Sequence, residues 1–583
     1  MRQWTAGVLA ILFSVFLVSC SGEKAVPAAE PIASEAFRTF VDDYFKALFE
    51  FSPTTATANG FHEYDARLED YSAGAFQSRV ATLRSLGTRL DGLRREKLTA
   101  DEVIDASILD GQIKTELQDI QVIESWRRSP KAYIELPAGA IDLLIKRDFA
   151  PGPERLRSVI SRLQQVPKVM EELRVNMTVP PREFTQIAIE EGSGSIGFFR
   201  DTLAAWAKDA AGSDTGLLKE FETANQGAVK AYQGAVTYLK TDLLPKSKGT
   251  YAIGAKNFTD KLLWEEMVDL PIDRVLAIGE ANLEKDHQDF VETARKIDPN
   301  KTPAQVMKLI SKDHPTAATL IDSAKNTIES IRQYIVDKKI ITIPSEVRPT
   351  IMETPPYARS GSFASMDTPG AYEKKAKEAF YYITPPEKNW SAKEIEEHLR
   401  LFNKPVMDII TIHEAYPGHF VQFLYAAKFP TKTRKLLYCS SNVEGWAHYS
   451  EQMMLEQGFG GGDPKIRLAQ LSEALLRDVR YVVGIKLHTQ GMTVEQGQDM
   501  FVTKGFQEPK VAYGEARRGA FNPTYLYYTL GKLEILKLRE DYKKAKGSAF
   551  SLEGFHNDFV KQGGVPIKVI RQIMLPGDSG TIL

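Results

Sequence analysis

The stretch Ile412-His413-Glu414-Ala415-Tyr416-Pro417-Gly418-His419 limits the folds open to this chain more than any other. A His-Glu pair with a second His nearby supplies imidazoles to hold a metal ion and a carboxylate to take a proton from water beside it, as zinc hydrolases require. Their usual spacing is H-E-x-x-H. Here His413 and His419 stand six residues apart, which on a regular helix is roughly 240° of rotation and turns the two imidazoles away from each other. The backbone must therefore depart from a regular helix if both are to reach one point. Pro417 supplies a cause: its ring clashes with the carbonyl of residue 413, it has no N–H to offer that carbonyl, and Gly418 follows it. A widened helical turn that absorbs two extra residues is the expected solution. Upstream, Pro405 can open a helix, and Val406, Ile409, Ile410 and His413 recur at helical spacing, which points His413 inward.

A third metal ligand is expected from Ser440-Ser441-Asn442-Val443-Glu444-Gly445-Trp446-Ala447-His448-Tyr449. Ser441 or Asn442 can cap a helix running to Gly458, with Glu444 in its first turn and His448 one turn later on the same side. A carboxylate with a His at i+4 suits a metal ligand and a partner that supports it or touches substrate. The candidate set is then His413, His419 and Glu444 for zinc, with Glu414 as general base. The competing reading is a solvated Glu and a satisfied core His.

Further on, Tyr513-Gly514-Glu515-Ala516-Arg517-Arg518 precedes the tyrosine-rich run Tyr525-Leu526-Tyr527-Tyr528. Arginines beside tyrosines suit the binding of a substrate carboxylate and an oxyanion. Sequence does not separate Arg517 from Arg518, and either suits a surface ion pair as well.

Together these strings, the early Gly60-Phe61-His62-Glu63-Tyr64-Asp65 and the late Tyr528-x-x-Gly531 resemble the bacterial family numbered 885 among the domains of unknown function. The similarity covers most of the mature chain. That family is similar in architecture to the gluzincin metallopeptidases, mostly helical molecules with a deep cleft. The resemblance implies zinc and peptide hydrolysis. It implies a transition-state hydrogen bond from Tyr528, aided by His448, with Tyr527 and His488 as further substrate contacts. It also implies a strand near the metal that binds extended peptide. Thr524 stands where the family usually has Gln, which removes an amide contact there. His62 and Asp65 match the family string and suit either the shaping of the cleft or a structural loop.

The rest of the chain sets the context. Met1 to Ser19 reads as a signal peptide, with Arg2 ahead of an apolar run from Gly7 to Val18 that is too short to span a bilayer. Leu17-Val18-Ser19-Cys20 resembles a bacterial lipobox, with Cys20 lipidated and Ser21 in the outer-membrane sorting position. Residues 20–34 then form a flexible tether, and 35–583 a single helical domain whose metal-site half begins at about 340. With Cys20 modified, only Cys439 remains, so no intrachain disulfide forms; a small buried hydrophobe is its expected role. A net charge of −2 with interspersed signs gives no nucleic-acid footprint.

Thr99-x-x-Glu102, Thr302-x-x-Gln305, Ser391-x-x-Glu394 and Thr493-x-x-Gln496 read as capping boxes, and Asp463-Pro464 as the start of a helix reaching about His488. Gly192 to Gly197 reads as a hinge between helices. Ile340 to Pro344 and Ala379 to Ile383 read as short strands. The expected molecule is mainly α, a large helical gluzincin-like domain with a deep cleft and a small β-sheet near the zinc site. It would be a lipid-anchored envelope protein, facing the periplasm from the outer membrane, that hydrolyses short peptides. Two alternatives stand beside it: another zinc amide hydrolase, and a non-catalytic peptide-binding lipoprotein.

Overall fold

Local capping chemistry starts many of the helices where the sequence says it should. All four capping boxes form, each with a reciprocal pair of backbone-to-side-chain bonds. The computed structural model describes residues 34–359, 363–387, 389–578 and 580–583. The leader, Cys20 and the tether up to residue 33 lie outside the described residues. Ser34 caps the first helix through the Phe37 amide.

In chain order the main helices are α1 (Glu35–Phe51), α2 (Ala73–Leu93), α3 (Ala100–Gln118), α4 (Pro130–Ile145), α5 (Gly152–Asn176), α6 (Arg182–Gly197), α7 (Thr215–Tyr238), α8 (Ile272–Ile297) and α9 (Leu320–Lys338). They continue as α10 (Lys404–Glu414), α11 (His419–Leu424), α12 (Ser440–Glu456), α13 (Pro464–Thr489), α14 (Pro509–Phe521) and α15 (Tyr527–Lys546). Between α9 and α10 lies one sheet of three four-residue strands, β1 (Thr350–Glu353), β2 (Ala364–Asp367) and β3 (Phe380–Ile383). Its order is β1-β3-β2; β1 pairs parallel and β2 antiparallel to the central strand, with Ile351 opposite Tyr381 and Met366 opposite the same residue. The fold is mainly α. Among the described residues no helix is long and apolar enough to cross a membrane.

Three apolar cores hold the elements. One gathers α1–α3, α9, the sheet and α10–α12; a second lies among α4–α7; a third joins α8, α13, α14 and the start of α15. α15 ties the first and third together, because Leu530 belongs to one and Ile535 and Leu538 to the other. Its crossing with α12 is very close. A Cβ on Gly445 would lie 2.5 Å from the Gly531 Cα, and one on Gly531 would lie 1.7 Å from the Ser441 carbonyl oxygen. Neither position accepts a side chain, so the Tyr528-x-x-Gly531 pattern fixes how near Tyr528 comes to α12.

Four local expectations are corrected. Residues 340–344 form no strand, although Ile340 and Ile341 are buried; β3 finds its partners in β1 and β2 instead. Gly192 to Gly197 lies inside α6, where Gly192 packs against Val236. Ser441 and Asn442 sit within the first turn of α12 and do not cap it; the Ser441 amide donates to Glu266 at 3.1 Å. The fourth concerns the helix between the two histidines.

Candidate metal centre

Asn403 caps α10 through the Val406 amide and Pro405 occupies its first turn, so the helix delivers His413 and Glu414 at its C-terminal end, both buried. The turn that follows is widened by two residues, Gly418 N–H reaching the Ile412 carbonyl, but the helix does not continue through it. The helix ends at Glu414, Ala415 leaves helical geometry, the Tyr416–Pro417 peptide is cis, and α11 begins afresh at His419. The break is held by bonds that bypass Pro417: Gly418 N–H donates to the Ile412 carbonyl at 3.1 Å, and Trp446 Nε1 donates to the Pro417 carbonyl at 2.9 Å. Gly418 lies so close that a Cβ there would sit 1.7 Å from the His413 carbonyl oxygen.

The result is convergence. The His413 and His419 rings stand 4.8 Å apart at 88°. Glu444, at the start of the second turn of α12, brings Oε2 to 3.5 Å from His413 Nε2 and 3.4 Å from His419 Nε2. Ligands held about 2.0–2.2 Å from a tetrahedral zinc lie about 3.3–3.5 Å from one another. Both histidine-to-carboxylate spacings fit that ion, and all three ligand atoms lie within 4.8 Å of one another. Among the described residues this is the one group of three metal-capable side chains whose ligand atoms all lie within 4.8 Å.

Behind the ligands is a carboxylate that the motif reading did not include. Glu451, fully buried two turns along α12 from Glu444, accepts from His413 Nδ1 at 2.7 Å and from His448 Nδ1 at 3.1 Å, and meets Arg477 of α13 at 3.3 Å. With its proton on Nδ1, neutral His413 presents a bare Nε2 to the site, the tautomer a metal needs. Without metal, burial and the Arg477 charge push the His413 pKa down, but bonds to Glu444 and Glu451 outweigh them and raise it to about 9. Burial works against ionised Glu444 as well, yet the two histidines hold its carboxyl well below the usual range.

Tyr528 opens α15 beside this group, its ring 6.4 Å from that of His413 and its hydroxyl oxygen accepting from Arg518 at 3.1 Å. Glu414 is 8% exposed and its carboxylate has no hydrogen-bond partner among the described residues. His448 is fully buried behind Glu451, and burial followed by the Lys532 charge lowers its pKa to about 3. Its Nδ1 bond makes it a support for Glu451.

The remaining candidates separate. Arg517 is spent on Glu190, with two bonds of 3.1 Å, so the neighbouring Arg518 alone joins the site. His488 is buried and bonded to the Gly519 carbonyl at 2.8 Å, a packing role in place of the expected substrate contact. Tyr527 turns to Asn522 and Thr524 and lines a polar cavity of about 190 Å³ with Lys261, Glu265, Glu266 and Cys439. Cys439 is more than a hydrophobe: its thiol donates to Glu266 at 2.5 Å, and burial, with that charge, pushes its pKa well up. His62 lies between Asp65 at 3.0 Å and Glu373 at 2.8 Å, stacked on Phe149 at 3.9 Å, which makes it a structural strut.

Residues 53–574 match the family model described as bacterial protein of unknown function (DUF885). A candidate lipoprotein of unknown function from Shewanella oneidensis has the same fold with a TM-score of 0.76 and 27% identity, over 93% of this chain and 100% of that one. A candidate lipoprotein from Colwellia psychrerythraea gives a TM-score of 0.77 at 19% identity, over 93% and 99%, a likeness of fold. No curated protein matches the chain. With the model spanning nearly all of its folded residues, the chain belongs to the bacterial DUF885 family.

Proposed function

We propose that the protein is a zinc-dependent peptidase acting on short peptides, held to the cell envelope by a lipid on Cys20. The observation that carries this reading is the meeting of His413 Nε2, His419 Nε2 and a Glu444 oxygen, with Glu414 adjoining the first ligand. A zinc ion held by these three residues supplies a Lewis acid and brings the pKa of bound water from 15.7 down to about 7. The chain's own groups do the rest. Glu414 accepts the water's proton and returns it to the departing amine. Glu451 keeps the His413 proton on Nδ1. Because the Tyr528 oxygen accepts from Arg518, its O–H remains free to donate to the oxyanion. β2 is an edge strand packed beside α10 and α11, a position that suits pairing with an extended peptide backbone.

The apolar run ending at Cys20 supports a lipid anchor, as do two structural relatives described as candidate lipoproteins. Ser21 favours the outer membrane, facing the periplasm.

The test is metal content followed by turnover. Wild type should hold one zinc per chain, and folded His413→Ala, His419→Ala and Glu444→Gln should lose it. Glu414→Gln should keep zinc while hydrolysis of a peptide library falls about 100-fold or more. Wild type that takes up no zinc, or a Glu414→Gln variant that still cleaves, would refute the reading.

A further inference from the structure

Three arginines surround Tyr528, and two of them are already neutralised. The Arg477 and Arg480 guanidinium carbons lie 5.8 and 5.0 Å over its ring. Arg477 is bound by Glu473 at 2.7 Å and Glu451 at 3.3 Å; Arg480 is held by both oxygens of Glu515 at 2.6 and 2.8 Å. Glu515 also takes the Tyr525 hydroxyl, so it is fully engaged. Arg518 is different. It is half-buried and lies over the Tyr525 ring, it donates a hydrogen bond to the Tyr528 hydroxyl, and among the described residues no carboxylate reaches ion-pair distance of it.

Burial works against the charged form of Arg518, and the Tyr528 hydroxyl, the Tyr525 ring and the nearby Glu515 charge favour it over that effect, yet among the described residues no carboxylate is bonded to its fork. Its planar fork matches a carboxylate bidentately, and a peptide's backbone carbonyls cannot neutralise it. The Tyr528 ring is 6.4 Å from His413, and Arg518 lies one hydrogen bond beyond its hydroxyl. An anion on Arg518 is therefore within about 15 Å of the centre of the His413 ring, so that about three extended residues reach from it to a carbonyl beside the His413 Nε2.

We infer that Arg518 binds the free C-terminal carboxylate of the substrate, so that the enzyme is a carboxy-terminal exopeptidase releasing one to three residues. This rests on the zinc-peptidase reading. The free C-terminus is always on the leaving-amine side, so water adds to the carbonyl of the bond cut, the C–N bond breaks, and the released fragment leaves with the anchored carboxylate.

The experiment uses the full mature chain, zinc-loaded, with N-acetylated pentapeptides made as free acids and as C-terminal amides. Calorimetry on the Glu414→Gln protein reads binding without turnover. The acids should bind at least about tenfold tighter than the amides, the worth of a charged hydrogen bond. In Arg518→Gln that ratio should fall to near one, in Arg518→Lys it should be intermediate, and in Arg517→Gln it should persist. With wild type, mass spectrometry should show acids shortened from the C-terminus, the loss on amidation falling mainly on KM. Equal affinity for acids and amides, no binding of either, or a ratio that survives in Arg518→Gln overturns the inference. Internal cleavage of amides as fast as of acids overturns it too, while leaving zinc hydrolysis intact. Zinc-loaded wild type that binds the acids tightly yet cleaves nothing refutes the peptidase reading instead.

Discussion

Glu451 accepts from both His413 and His448 with no exposed surface, so its two oxygens fix two imidazoles at once. Glu451→Gln keeps the shape but offers a single acceptor oxygen and no charge. Zinc affinity should fall about 10–100-fold, read by competition with a chelator of known affinity. An unchanged affinity would mean that His413 needs no orienting partner. The grouping of His413, His419 and Glu444 was legible in the sequence because holding a metal would demand both residue type and approximate spacing. Glu451 was not, since a buried carboxylate on a helix earns its meaning from what crosses that helix. Its one local signal is its place two turns from Glu444 on the same helix. Likewise nothing in the pair Arg517-Arg518 tells which side chain faces Tyr528; the helix turns about 100° between them, and only the position of Glu190 on α6 decides.

At the scale of elements, two glycines set the geometry by lacking a Cβ. Gly531→Ala would drive a methyl to 1.7 Å from the Ser441 carbonyl and pry α15 from α12. We expect a loss of about 3 kcal/mol or more in denaturant unfolding, at the upper end of overpacking costs, with weaker zinc binding. Gly514→Ala in α14 meets nothing within 4 Å and should be neutral or stabilising by up to about 1 kcal/mol. Similar losses at the two sites would show that the crossing is not tight. Gly418→Ala forces the same collision against the His413 carbonyl, and should abolish stoichiometric zinc in protein that still melts cooperatively. Helix starts were readable because caps act over three residues, as Thr99 and Glu102 do. The sheet was half-read. Phe380–Ile383 has a strand's aromatic and β-branched texture, whereas Ala364–Asp367 has none and is a strand only because β3 lies beside it. The convergence of the histidines was foreseen with the widened turn at Pro417, but not the end of one helix at Glu414 and the start of another at His419, where Trp446 reaches back from α12 to the Pro417 carbonyl.

Across the whole molecule, buried histidines tie stability to pH on both sides of neutrality. His488 and His556 are held neutral by burial, which lowers their pKa values to about 4 and about 3 from 6.5. Below 6.5 the unfolded chain protonates both while the folded chain does not, so their contribution is lost as pH falls from about 6.5 toward 4. His62 behaves oppositely. Burial lowers its pKa, but the bonds to Asp65 and Glu373 outweigh that and raise it, so its contribution is complete below 6.5 and lost as pH climbs through the folded value. Metal-free protein should therefore be most stable near pH 6.5. On the acid limb each of the two buried histidines adds up to one proton taken up on unfolding, or about 1.4 kcal/mol per pH unit. His556 bonds to the Ile340 carbonyl and the Tyr449 hydroxyl, and His488 to Gly519, so His556→Gln and His488→Gln will differ from wild type at neutral pH for other reasons. The slope of unfolding free energy against pH between about 6 and 5 is the cleaner readout. It should drop by close to one proton in either variant and by close to two in the double variant. A double variant as steep as wild type would place the acid sensitivity in other buried histidines such as His448, whose pKa burial and then the Lys532 charge lower to about 3.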